Sequence, residues 1–275
     1  MRLITIIATL LFALASHAQS YRKLVNDGTR HLEKGETEAA IKKYNEAVAI
    51  EPDNKRNEYV YANLATAYQK KGDNIKAEEM YTKALSMNPS STILLQQRGN
   101  LYLQTDNMKK AMADYDKILE KEPYNEEALY YRAYIFAQEK EYEKAYTDYY
   151  KILTTNPDND KARFALALLY SKEKKNEEAM LLIDNLIDKN PHIADYYQAG
   201  SEIEKESKRD ELALVFLDEG IKKCKNNEQL YLSKAELLIK MKKRDEAKNT
   251  LDELRRKGYY SAQMNALYKK CNKIK

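Results

Sequence analysis

Residues 76–89 read KAEEMYTKALSMNP, and variants of that phrase recur in four other places: AAIKKYNEAVAIEP (39–52), KAMADYDKILEKEP (110–123), KAYTDYYKILTTNP (144–157) and EAMLLIDNLIDKNP (178–191). The prolines at 89, 123, 157 and 191 are spaced 34 apart, and Pro52 lies 37 before Pro89. That offset places a three-residue insertion near Lys55 to Asn57. Continuing the frame gives two further units, starting at Ala194 and Glu228, with Lys225 and Tyr259 where proline would stand. A fixed period of this length is the mark of a repeat architecture.

Each unit carries apolar residues at helical spacing. Counting from the first residue of a unit, positions 20, 24 and 27 are Ala77, Tyr81 and Ala84, or Ala145, Tyr149 and Ile152. Steps of four and three put them on one helical face. Position 20 is alanine in all seven units, which implies two backbones in close approach. In the first half of a unit, positions 4, 8 and 11 show the same steps, as in Tyr61, Ala65 and Tyr68 or Leu129, Ala133 and Phe136. Position 8 is Gly, Ala or Ser throughout. Short polar turns such as KKGD (70–73) separate the halves. Each unit is thus expected to be two antiparallel helices whose stripes are buried only when neighbours stack.

The pattern closely resembles the tetratricopeptide repeat, on the small residue at position 8, an aromatic at 11, Ala at 20, an aromatic at 24 and Pro at 32. The resemblance covers Tyr21 to Lys275 and implies an all-α solenoid of about seven helix-turn-helix repeats in a right-handed superhelix. The repeats fall near 21–54, 58–91, 92–125, 126–159, 160–193, 194–227 and 228–260, with a capping helix in 261–275. No unit has Trp at position 4, and His31 takes position 11 of the first. The sixth unit departs further, with Gly200, Ser201, Glu204 and Gly220 where bulkier or apolar packing is usual, and is expected to be the loosest joint.

The N-terminus reads differently. In MRLITIIATLLFALASHAQS one Arg precedes an apolar run from Leu3 to Ala15, followed by small residues at Ser16 and Ala18. This is the pattern of a signal peptide over 1–18, cleaved after Ala18, and predicts an exported, periplasmic or secreted protein. A retained membrane anchor is the alternative. No Cys follows the cleavage point, which disfavours a lipoprotein. The two cysteines, Cys224 and Cys271, fall in different layers of the frame, too far apart for a bridge.

Mean hydropathy is −0.77 and 33% of residues are charged. From Lys240 to Lys275 there are 12 Lys or Arg against 4 Asp or Glu, a basic end able to contact acidic surfaces. The near-neutral body and the leader oppose nucleic-acid binding. No catalytic, phosphate-binding or metal-ligand motif is present, so the sequence predicts no enzyme, cofactor or metal. His31 sits at a packing position and His192 in a loop after Pro191.

By resemblance, such arrays bind segments of other proteins in the concave groove lined by the first helix of each unit, mainly at positions 2, 5, 6, 9, 12 and 13. Those positions hold Asn63, Thr66, Gln96, Gln97, Asn100 and Gln104 in the second and third units. Tyr130, Tyr131 and Tyr134 follow in the fourth, with Phe164 and Leu168 in the fifth. Amides pair with an extended backbone and aromatics hold side chains. The same tyrosines could instead pack between adjacent first helices. A carboxylate clamp for chaperone tails is not supported: Asn63 fits, but Val25, Thr29, Ile93 and Gln97 replace its other members. A partner protein or peptide is therefore the first reading, with a glycan-binding or nutrient-uptake module and a self-assembling structural protein as alternatives.

Overall fold

The computed structural model describes residues 2–274, with side chains from Ala18 onward, so the expected leader lies almost wholly outside the described side chains. Among the described residues there are fifteen helices and no strand. None of those helices is long and apolar enough to cross a membrane.

The chain divides into two compact units, Met1–Ile135 and Phe136–Lys275. The first contains α1 (Arg2–Glu33), α2 (Thr37–Ile50), α3 (Asn57–Lys71), α4 (Asn74–Met87), α5 (Thr92–Gln104), α6 (Met108–Lys121) and most of α7 (Glu126–Gln138). Here α1 packs on α2, α3 on α4 and α5 on α6, while α2 meets α3 and α4 meets α5. The second contains α8 (Tyr142–Thr155), α9 (Asp160–Lys172), α10 (Asn176–Lys189), α11 (Ala194–Glu206), α12 (Asp210–Lys223), α13 (Glu228–Lys240), α14 (Arg244–Arg256) and α15 (Ala262–Cys271). There α9 pairs with α10, α11 with α12 and α13 with α14, and α15 covers α13 and α14 as a cap.

Sequence dictates where these helices stop. Pro52, Pro89, Pro123, Pro157 and Pro191 each follow the C-cap residue of a second helix, where proline cannot continue the backbone hydrogen bonding. Starts are capped by side chains: Asp73, Ser91, Asn125, Asn159, Asn227 and Ser261 each accept from a backbone N–H three residues on.

The turn inside each repeat is more uniform than its sequence. Position 15 lies in the left-handed region in all seven repeats, as Gly35, Gly72, Asp106, Lys140, Lys174, Lys208 and Lys242. The next residue's N–H then reaches back to the carbonyl of position 11, as from Asp73 to Tyr68 (2.9 Å), Glu141 to Phe136 (2.8 Å) and Arg209 to Glu204 (2.9 Å). This is the Schellman arrangement, which satisfies carbonyls left over at the helix end.

The core follows the repeat frame. All seven position-20 alanines, from Ala40 to Ala247, are fully buried. At position 8, a Cβ on Gly99 would come within 3.0 Å of the Tyr115 ring, and one on Gly28 within 2.7 Å of Tyr44. Lysines eight residues beyond the position-11 aromatics lie over their rings: Lys76 on Tyr68, Lys110 on Tyr102 and Lys144 on Phe136, at 5.4, 5.1 and 5.2 Å.

In the sixth repeat, neighbouring side chains fill the space beside the small residues. The Phe216 ring fills the space beside Gly200, and Tyr197 with Leu230 fills that beside Gly220. Glu204 is buried and bonded to Arg209, so the missing aromatic at position 11 is replaced by an ion pair across the turn. His31 holds that position in the first repeat and hydrogen-bonds Glu36 across the turn. Cys224 and Cys271 are both free and buried.

Candidate functional site

The first helices carry the candidate groove, and in the first unit much of its polarity is already spent. Tyrosines at position 24 of the second helices send their hydroxyls through to the first. Tyr44 meets Thr29 at 3.1 Å and bonds Asn63, and Tyr81 meets Thr66 at 3.4 Å. The Tyr115 hydroxyl donates to Asn100 at 2.7 Å, and burial pushes its pKa far up. Asn63 and Asn100 are therefore partners of the scaffold first, and their remaining capacity is what a ligand could use. Gln104 accepts from Gln69 at 2.5 Å. Gln96 is half-buried, and the half-buried Gln97 keeps a buried Oε1 with no hydrogen-bond partner.

The three tyrosines of α7 differ among themselves. Tyr131 stacks on Tyr115, with ring centroids 5.6 Å apart and 17° between planes. Tyr130 meets Tyr131 edge-on at 5.4 Å. Both are half-buried, and burial raises both hydroxyl pKa values. Tyr134 is 40% exposed.

Two further apolar side chains share this series: Tyr59, which was not singled out from sequence, and Ile93, which was read there only against the carboxylate clamp. Tyr59 on α3 is 67% exposed and Ile93 on α5 is 70% exposed, both at position 2. Tyr59 also borders a pocket of about 430 Å³ between α1 and α3, with Tyr21, Arg22, Val25, Asn26 and Arg56. The insertion at 55–57 supplies Arg56, and Tyr21 donates to Asn57 at 3.0 Å. The insertion was the available signal, since it alone breaks the 34-residue spacing.

In the second unit, Phe164 and Leu168 lie together in a pocket of about 330 Å³ between α9 and α11. Phe164 packs on Tyr196 at 5.1 Å, and Leu168 is 45% exposed. Asp195, Gln198 and Glu202 from α11 complete it. At the basic end, Lys240, Lys243 and Lys270 pair with Asp210, Glu211 and Glu236, while Arg255, Arg256 and Lys257 are exposed. No group of three or more metal-ligating residues able to hold an ion occurs among the described residues.

Four family models, each described as a tetratricopeptide repeat or TPR repeat, match residues 28–72, 58–91, 98–160 and 136–202. No curated protein sequence matches. Among solved structures, a tetratricopeptide repeat protein from Parabacteroides merdae is 24% identical over 92% of this chain and 99% of its own, with a TM-score of 0.76. PilW, described as a widely conserved type IV pilus biogenesis factor, is 20% identical over 77% of this chain and 97% of its own (TM-score 0.63). YrrB, described as a TPR protein with an unusual peptide-binding site, is 21% identical over 68% and 94% (TM-score 0.52). At these identities the structural likenesses establish the fold.

Proposed function

Because the chain belongs to the tetratricopeptide repeat family, we propose that it is a non-catalytic scaffold that holds a segment of a partner protein against its first helices, in the cell envelope. The observation that carries this reading is the exposure of Tyr59, Ile93 and Tyr134 on successive first helices. Buried aromatics cover about 150–250 Å² each, so the two partly exposed tyrosines, with Ile93 beside them in the series, offer an apolar surface on the order of a few hundred Å². Patches of that size on soluble proteins usually mark interaction sites. The peptide-binding site described for YrrB is a precedent for this use of the fold. The leader pattern in 1–18 supports export, and PilW is a fold neighbour described as a pilus biogenesis factor.

Replacing Tyr130 and Tyr134 together by Ala tests the groove. Partners recovered by pull-down from the native host should be lost while the helical circular dichroism signal stays intact. Unchanged recovery with intact folding contradicts the assignment. N-terminal sequencing of the protein isolated from its host should begin at Gln19, and a chain still starting at Met1 contradicts export by cleavage.

A further inference from the structure

We propose that the pocket between α9 and α11 is a specificity subsite for an extended peptide segment in which an apolar side chain is flanked by lysine or arginine. This rests on the scaffold reading and adds the chemistry of the partner.

The pocket has an apolar floor and an acidic rim. Phe164, Leu168 and Ile203 form the floor, and Asp195 and Glu202 are the ionisable residues that line it. Its volume of about 330 Å³ lies at the small end of ligand sites, on the scale of one or two side chains. The rim charge is available. Asp195 has no ion pair among the described residues and is exposed. Glu202 holds only Lys205, a helix neighbour three residues on, at 2.9 Å, an exposed contact worth little. Asp195 also acts on its surroundings: after burial, its charge contributes to raising the Cys224 thiol and, with Asp160, the Tyr196 hydroxyl.

Two more features favour a peptide. Gln198 lines the pocket with an Oε1 that has no hydrogen-bond partner and is covered in the free protein, an acceptor that a turn of the side chain would present to a backbone N–H. Buried polar groups left unpaired cost about 1–3 kcal/mol, so a ligand that satisfies one gains affinity. The groove-facing residues here are also not tied down from below. Position 24 is Ile183 behind Leu168 and Leu217 behind Glu202, without the hydroxyl that engages Thr29, Thr66 and Asn100. An acidic rim around an apolar floor complements a cationic-apolar-cationic segment and repels its acidic counterpart.

The test uses the full chain and three labelled nonapeptides in a Gly/Ser frame, centred on Lys-Leu-Lys, Glu-Leu-Glu and Lys-Ser-Lys, read by fluorescence anisotropy at low and high salt. The Lys-Leu-Lys peptide should bind saturably and weaken with salt, and the other two at least tenfold more weakly. Asp195→Asn with Glu202→Gln should cost at least tenfold and remove the salt dependence, and Leu168→Ser should cost a similar factor. All three positions are exposed, and circular dichroism checks folding. Absence of saturable binding, indifference to charge sign, or binding unchanged by both variants would overturn the subsite. If the native partner is still captured in a Tyr130- and Tyr134-dependent way, the scaffold reading stands while this one fails. If the peptide binds but those tyrosines prove irrelevant, the reverse holds.

Discussion

The two units build the same repeat from different residues, and the contrast is clearest at position 24. In the first unit, Tyr44, Tyr81 and Tyr115 reach through the repeat and engage polar groups of the first helix. In the second, Tyr149 on α8 keeps the aromatic, but Ile183, Leu217 and Leu251 in the last three repeats fill the same place without a hydroxyl, and Leu168, Glu202 and Glu236 stand at position 9. Where position 24 is tyrosine in the first three repeats, its hydroxyl engages the polar side chain at position 9, and in the last three repeats no hydroxyl stands there. The pockets differ accordingly: Arg22 and Arg56 border one, Asp195 and Glu202 the other. A single frame carries two surfaces of opposite charge.

The largest expected contrast is in buried charge. Arg98 makes a bidentate bond to Asp114 at 2.8 and 2.7 Å, and Asp114 is 2% exposed. Asp114→Ala strands the guanidinium and should cost about 3–5 kcal/mol in chemical denaturation. Asp218, paired with Lys234 on the second unit's half-exposed surface, should cost under about 1 kcal/mol when changed to Ala. Equal losses would show that the pairs are equivalent.

Turns come next. Gly72 holds φ 84°, so Gly72→Ala should destabilise by about 1–2 kcal/mol. Lys174 holds φ 62° at the same position, and Lys174→Gly should stabilise by up to about 1 kcal/mol, the opposite sign. Tyr115→Phe should then cost about 1 kcal/mol for the lost hydrogen bond to Asn100, while freeing that amide for a ligand.

High pH should erase the contrast. Burial pushes Tyr102 in the first unit and Tyr197 in the second up to about 12. A raised folded pKa means the neutral phenol is the stabilised form. That stability is complete below pH 10, the ordinary value, and is lost as pH rises through about 12. Both units should therefore weaken across this window, as followed by circular dichroism and tyrosinate absorbance. Unfolding complete below pH 10 would contradict the burial.

The scaffold was legible because its rules are steric. Alanine at position 20 and small residues at position 8 record close backbone approach, and period alone exposes them. The left-handed turn was legible at Gly72 but hidden at Lys140, Lys174, Lys208 and Lys242, where a neighbouring helix end imposes a conformation that lysine does not advertise. The packing of the sixth repeat was hidden for a related reason. Its glycines read as missing volume, but Tyr197 and Phe216 supply that volume from other positions. Among the candidate site residues, spacing placed Tyr134 and Leu168 on exposed surface. It could not show that Asn100 is claimed by Tyr115, or that Tyr131 stacks on the same ring, because both depend on side-chain reach across helices.

The central claim is that partners are held on the first helices, and cross-linking mass spectrometry of the captured native complex tests it most directly. Cross-links to the partner should concentrate on α3, α5, α7, α9 and α11. Cross-links confined to the second helices α4, α6, α8, α10 and α12 would contradict it.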